Sequence, residues 1–196
     1  MVSLISTVAK IGPWGGNYGG ADHDLPPPPA TAAAPTPHSL RSVSIRAGKV
    51  LDSIAFTYAD AGGAVHAAGP WGGDGGKLPE EVAAAALRDV GKLPPRGTVN
   101  ELALEDGERV TEVHGTVGPY GDRDSLVTSL KLVTDRGRAF GPFGYGAGTP
   151  FSVPVLGHGG VAAFFVRAGD FVEAVGVYVN PNAAATPTPT PKPAEN

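Results

Sequence analysis

Cysteine is absent from this 196-residue chain, which excludes disulfides, thiolate metal ligands and thiol nucleophiles. Long apolar runs are missing as well, and no stretch approaches the roughly 18 residues of a membrane-spanning helix. Lys and Arg never form a run longer than two, and the formal net charge is −4. Without a basic footprint, neither nucleic acid nor an anionic membrane is expected as a partner. His23, His38, His66, His114 and His158 are scattered without ligand spacing, so no metal site is expected. The glycine-rich stretches follow turns instead of joining a strand to a helix, so no nucleotide or other cofactor is expected either. Met1 to Lys10 has no basic n-region and only a short apolar run. That argues against a signal peptide and for a cytoplasmic or nucleocytoplasmic protein.

What the chain does have is glycine, 29 residues, and proline, 20 residues. That composition suits many short strands joined by tight turns. Two strands are near duplicates: Ser44-Ile45-Arg46-Ala47-Gly48-Lys49-Val50-Leu51-Asp52 and Phe165-Val166-Arg167-Ala168-Gly169-Asp170-Phe171-Val172-Glu173. A diverged third copy, Leu126-Val127-Thr128, lies between them, so Asp52, Thr128 and Glu173 occupy one repeated position. After the first two copies in chain order comes a glycine-aromatic turn, Gly69-Pro70-Trp71-Gly72-Gly73 or Gly141-Pro142-Phe143-Gly144. The turn belonging to the last copy stands at the opposite end, Gly12-Pro13-Trp14-Gly15-Gly16. Such wrap-around predicts a closed, roughly threefold all-β object whose amino end completes the final repeat. It should bring Gly15 beside Glu173.

Alternating or dense apolar patterns predict strands over 39–45, 50–58, 109–117, 125–134, 161–166 and 171–179. Pro26 to Pro37 reads as a Pro/Ala loop that cannot enter a sheet, because proline offers no donor. Pro79 to Val90 is the one helix candidate, with Pro79 and Glu80-Glu81 suited to its first turn and Gly91 ending it. The Thr-Pro tail over 183–196 reads as an extended, mobile segment. Asp52 to Thr128 spans 76 positions and Thr128 to Glu173 only 45. Residues 74–97 therefore read as an insertion, like 26–37, in one domain over 8–182 preceded by an extension over 1–7.

Gly12-Pro13-Trp14-Gly15-Gly16, Ala68-Gly69-Pro70-Trp71-Gly72-Gly73, Val113-His114-Gly115-Thr116-Val117-Gly118-Pro119-Tyr120, Gly141-Pro142-Phe143-Gly144, Thr149-Pro150-Phe151 and Gly169-Asp170-Phe171-Val172-Glu173-Ala174-Val175-Gly176-Val177-Tyr178 follow one another in this order. In these motifs the chain resembles the jacalin-related lectins, and among them the mannose-specific cytoplasmic members of monocot plants. The resemblance covers about residues 8–181 apart from the two insertions. It implies a β-prism of three four-stranded Greek-key sheets, reversible binding of mannose- or glucose-type glycans without catalysis, and a homodimer. It also implies a first sugar site made by Gly15, Gly16, Gly169, Asp170, Phe171, Val172 and Glu173. A second site, resembling the extra one of banana lectin, would be made by Gly48, Lys49, Val50, Leu51, Asp52, Gly72 and Gly73. Galactose-specific members expose a free glycine amine made by proteolytic cleavage. Gly15 lies within a continuous chain, which favours mannose or glucose.

The chemistry of such sites follows from the hexose. Its hydroxyls both donate and accept, so a site needs a carboxylate to accept and exposed amides to donate. Glycine lets those amides approach closely, and Phe171 could cover an apolar sugar face. The family's Asp is Glu173 here, whose extra methylene moves the acceptor by about 1.5 Å, outside the narrow hydrogen-bond window. Asp52 retains the shorter side chain. Thr128 offers no carboxylate, so no sugar is expected at the middle repeat. Trp14 and Trp71 are read as caps of the core. A glycosidase would need two carboxyls across a cleft, whereas each repeat offers one. The alternative of another class is a sugar-silent protein-interaction module, with Glu173 and the two insertions having remodelled the sites.

Overall fold

A computed structural model describes residues 8–25, 36–73 and 97–183. The expected helix over 79–90, the extension over 1–7 and nearly all of the tail lie outside these residues. Twelve strands follow in chain order: β1 (Ala9–Gly15), β2 (Ala21–His23), β3 (Pro37–Ala47), β4 (Leu51–Asp60), β5 (Val65–Gly72), β6 (Thr98–Ala103), β7 (Val110–Tyr120), β8 (Arg123–Thr134), β9 (Ala139–Gly144), β10 (Thr149–Pro154), β11 (Gly160–Ala168) and β12 (Val172–Asn180). They form three four-stranded antiparallel sheets, ordered β5-β4-β3-β6, β9-β8-β7-β10 and β1-β12-β11-β2. The third sheet closes the ring, since β1 and β2 flank the carboxy-terminal hairpin.

Each central hairpin points one face inward. Val43, Ile45, Ile54, Phe56, Val113, Leu130, Leu132, Phe164, Val166, Val175 and Val177 meet in a single apolar cluster on the prism axis. Burial of side chains of this size contributes about 1.5–3 kcal/mol apiece. The sheets hold together because each supplies one of three walls around that cluster.

Three sequence expectations need correction. The Gly-Pro-aromatic segments are not free turns: they are the bulged ends of β1, β5 and β9, with register shifts between Ile11 and Trp14 within β1, opposite Ile54/Phe56 for β5 and opposite Leu130/Leu132 for β9. All three strands lie at sheet edges, where a proline without an N–H interrupts no ladder. Pro37, expected in a loop, is the first residue of β3, opposite Asp60; at an opening position its missing donor costs little. The third concerns Phe171, taken up with the site.

The aromatic of the bulge reaches the neighbouring sheet. Trp14 of β1 stacks on Phe151 of β10, with ring centroids 4.7 Å apart. Trp71 of β5 stacks on His23 of β2 at 5.3 Å. Both tryptophans pack against the core as expected.

Candidate functional site

At one end of the prism each repeat places its glycine turn against its acidic or hydroxyl strand. Gly15 pairs with Ala174, and Gly16 N–H donates to Glu173 O at 3.0 Å. Gly72 pairs with Ser53, and Gly73 N–H donates to Asp52 O, also at 3.0 Å. The approach is so close that a Cβ on Gly15 would stand 2.0 Å from Glu173 O, and one on Gly72 2.1 Å from Asp52 O. Both glycines have positive φ, 130° and 118°, so no other residue fits there without strain.

The tips of the repeats also meet one another. Val50, Leu126 and Phe171, which hold the same position in the three copies, form a second apolar cluster with Tyr120 packed on it. The Phe171 ring is therefore buried within the protein and edge-on to Tyr120 at 5.6 Å. It is taken up by packing, in place of the exposed ring that covering a sugar face would need. Around this cluster the turns interlock in a cycle. Gly16 lies against Ser125 O and Gly73 against Asp170 O, at 2.7 and 2.5 Å from an added Cβ. In the third turn Tyr145 N–H donates to Lys49 O at 2.8 Å.

The two carboxylates share a position but not a fate. Glu173 is 1% exposed, and its Oε2 accepts from Tyr18 N–H at 2.8 Å and from Gly20 N–H at 3.3 Å. Its Oε1 faces Arg123 Nη1 at 3.4 Å. Arg123 also stands 3.9 Å from the exposed Asp170 carboxylate, with its guanidinium near the rings of Tyr18 and Phe171. The Tyr18 hydroxyl in turn accepts from Ser125 N–H at 2.7 Å. Arg167 holds the same loop by two bonds to Asp22, 2.8 and 3.2 Å, and one to Gly16 O at 3.4 Å.

Asp52 is 4% exposed, and its Oδ2 has no hydrogen-bond partner among the described residues. Burial pushes its carboxyl up to about 6, against the opposing pull of the Arg46 charge. The Tyr120 hydroxyl is pushed up too, by burial first and by the Asp52 charge second. Buried Gly97 roofs the carboxylate, since a Cβ there would stand 1.9 Å from Oδ2. Gly48, which adjoins Gly97, and Lys49 are exposed, and Gly48 would place its Cβ 3.6 Å from Gly97 Cα and 3.8 Å from Oδ2. In the middle repeat the Thr128 hydroxyl donates to Ala147 O at 2.5 Å and lies 2.7 Å from the Thr116 hydroxyl.

The structure thus brings Gly15 and Gly16 to Glu173, and Gly72 and Gly73 to Asp52. The sequence reading missed Tyr18, Arg123 and a third glycine per repeat. Gly20, Gly97 and Gly148 each precede the outermost strand, before Ala21, Thr98 and Thr149. A repeated Gly-Thr at 97–98 and 148–149 was the available signal.

A family model described as a jacalin-like lectin domain matches residues 11–178. Horcolin from Hordeum vulgare is 38% identical over 178 residues, covering 90% of this chain and 100% of its own. The solved structure of a mannose-binding jacalin-related lectin from Ananas comosus superposes with a TM-score of 0.70 at 32% identity, covering 89% of this chain and 98% of that one. Wild-type Malaysian banana lectin gives a TM-score of 0.67 at 35% identity, covering 90% and 100%.

Proposed function

The chain belongs to the jacalin-like lectin family, and on that premise we propose that it binds mannose- and glucose-type glycans, working chiefly through the pocket around Asp52. A lectin holds carbohydrate reversibly and leaves its bonds intact, so no catalytic group is called for. The sugar class is favoured by the mannose-binding relative from Ananas comosus and by the mannose/glucose-specific lectin of Parkia pendula, 29% identical to this chain.

The observation that carries the choice of pocket is that Asp52 Oδ2 has no hydrogen-bond partner among the described residues. A buried acceptor without a donor is costly, and a sugar hydroxyl entering over exposed Gly48 and Lys49 would supply one. Amides of the Lys49-Val50 stretch complete the donor set beside the Gly72-Gly73 turn, since Gly73 N–H is already given to Asp52 O and Gly48 N–H to Val50 O. Glu173 offers less, because its Oε2 already accepts two backbone amides. Gly15, Gly16 and the 169–172 loop keep the backbone of a first site, which on this reading is the weaker of the two.

Titration calorimetry with methyl α-mannoside tests the assignment. We expect binding near 1 mM, about −4 kcal/mol, which Asp52→Asn removes and Glu173→Gln leaves in place. The reverse pattern would place the working site at Glu173, and equal heats for galactose would defeat the sugar class. A cytoplasmic homodimer is the setting that the resemblance to monocot members favours. Sedimentation velocity on the chain, and fractionation of the tissue that makes it, test those two points.

A further inference from the structure

The cycle of interlocked turns carries a side chain in one place. Gly16 and Gly73 fit against the backbone of the next repeat with no room for a side chain. The equivalent residue in the remaining turn is Tyr145, which is 74% exposed. It sits between Gly144 and Gly146, both at positive φ, 96° and 78°, so the chain bends sharply on either side and presents the residue at the rim. Its N–H bond to Lys49 O pins it to the loop that ends in Asp52. Lys49 and Asp52 are three residues apart, at most about 10–11 Å of extended chain.

Exposed aromatic residues are ordinary when scattered singly. This one is joined through its backbone to the loop that leads into Asp52, where Gly48 and Lys49 are also exposed. It also replaces a glycine where the fold tolerates glycine elsewhere. The apolar C–H face of a hexose fits a flat ring of this kind, as aromatic faces fit other apolar surfaces.

We propose that Tyr145 forms a stacking subsite for the second hexose of an α-linked mannose or glucose oligosaccharide whose first residue is held at Asp52. The inference rests on the Asp52 reading and deepens it. The pocket would then select glycans of two or more residues over free monosaccharide, with the reducing side of the chain laid over Tyr145 or its non-reducing side doing so.

The test is calorimetry with methyl α-mannoside and with an α-linked mannobiose, on the full chain and on Tyr145→Ala, Tyr145→Phe and Asp52→Asn. The expected preference of the full chain for mannobiose is roughly 3- to 10-fold. Tyr145→Ala should bring that ratio close to one, and Tyr145→Phe should keep it. A ratio that survives Tyr145→Ala, in a chain whose binding is lost in Asp52→Asn, overturns the subsite alone. Binding that survives Asp52→Asn overturns the pocket itself, and the monosaccharide titration reports that outcome separately.

Discussion

Glu173 turns its carboxylate onto the backbone amide of Tyr18, 2.8 Å away. Gly20 N–H lies against the same oxygen at 3.3 Å, and Arg123 against the other at 3.4 Å. An acid at a position expected to accept from sugar thus accepts from its own loop. Its extra methylene gives it the reach.

Shortening that arm should reverse the arrangement. In Glu173→Asp the carboxylate retracts by about 1.5 Å, beyond the range of useful hydrogen bonds to the loop. The stoichiometry for methyl α-mannoside should rise toward two per chain. Stability should fall by about 1–3 kcal/mol, since two amides lose a charged acceptor. Calorimetry and denaturant unfolding measure the two effects, and a variant unchanged in both would contradict the role given to these bonds.

Asp52 sets a pH dependence of stability. Its folded-state carboxyl titrates at about 6 instead of 3.8, so the folded chain binds more protons than the unfolded one between those values. Stability from this group is therefore greatest at low pH, declines as pH rises from about 4 to 6, and stays low above. Asp52→Asn should remove that decline and stabilise the chain at pH 7 to 8 by up to about 3 kcal/mol. Parallel unfolding curves for the two proteins across pH 4–8 would rule this out.

Sugar affinity should run the opposite way along the same axis. A hydroxyl donates to the ionised carboxylate, and Arg46 and Tyr120 are the charged and titratable groups whose charge couples to it. Methyl α-mannoside should bind more tightly as pH rises through about 6, where Asp52 ionises, with a tenfold loss per pH unit well below that value. Calorimetry at pH 5 and pH 7.5 suffices. Equal affinities would remove Asp52 from the contact.

Ring closure depends on Gly15. Gly15→Ala places a methyl 2.0 Å from Glu173 O at φ 130°, and β1 must part from β12 to admit it. A loss of about 2–4 kcal/mol is expected, read as a lower thermal midpoint. Gly107→Ala is the comparison: its φ is also positive, 74°, but nothing lies within 4 Å of the added carbon. A loss as small as that of Gly107→Ala would show that the close approach is dispensable.

Much of the fold was legible because the chain states it three times. The duplicated Gly48–Asp52 and Gly169–Glu173 hairpins announced a repeated sheet, and the displaced Gly12–Gly16 motif announced closure. The edge strands were misread as turns because Gly-Pro is a turn signal locally. Only pairing with β12, β4 and β8 makes those segments strands.

From residue order alone follow the three acidic or hydroxyl positions, the glycines that face them and the sugar-binding family, since these are matters of residue type and spacing. Where each side chain ends was decided by packing in three dimensions. Phe171 turns inward because Val50 and Leu126 arrive beside it from other repeats. Glu173 is satisfied because a loop 153 to 155 positions away in the chain brings it two amides. Asp52 has no donor on Oδ2 among the described residues although Gly97 lies against it, whereas the equivalent Gly20 gives its N–H to the longer Glu173. Such contacts join residues remote in sequence, and local spacing carries no record of the directions in which they meet.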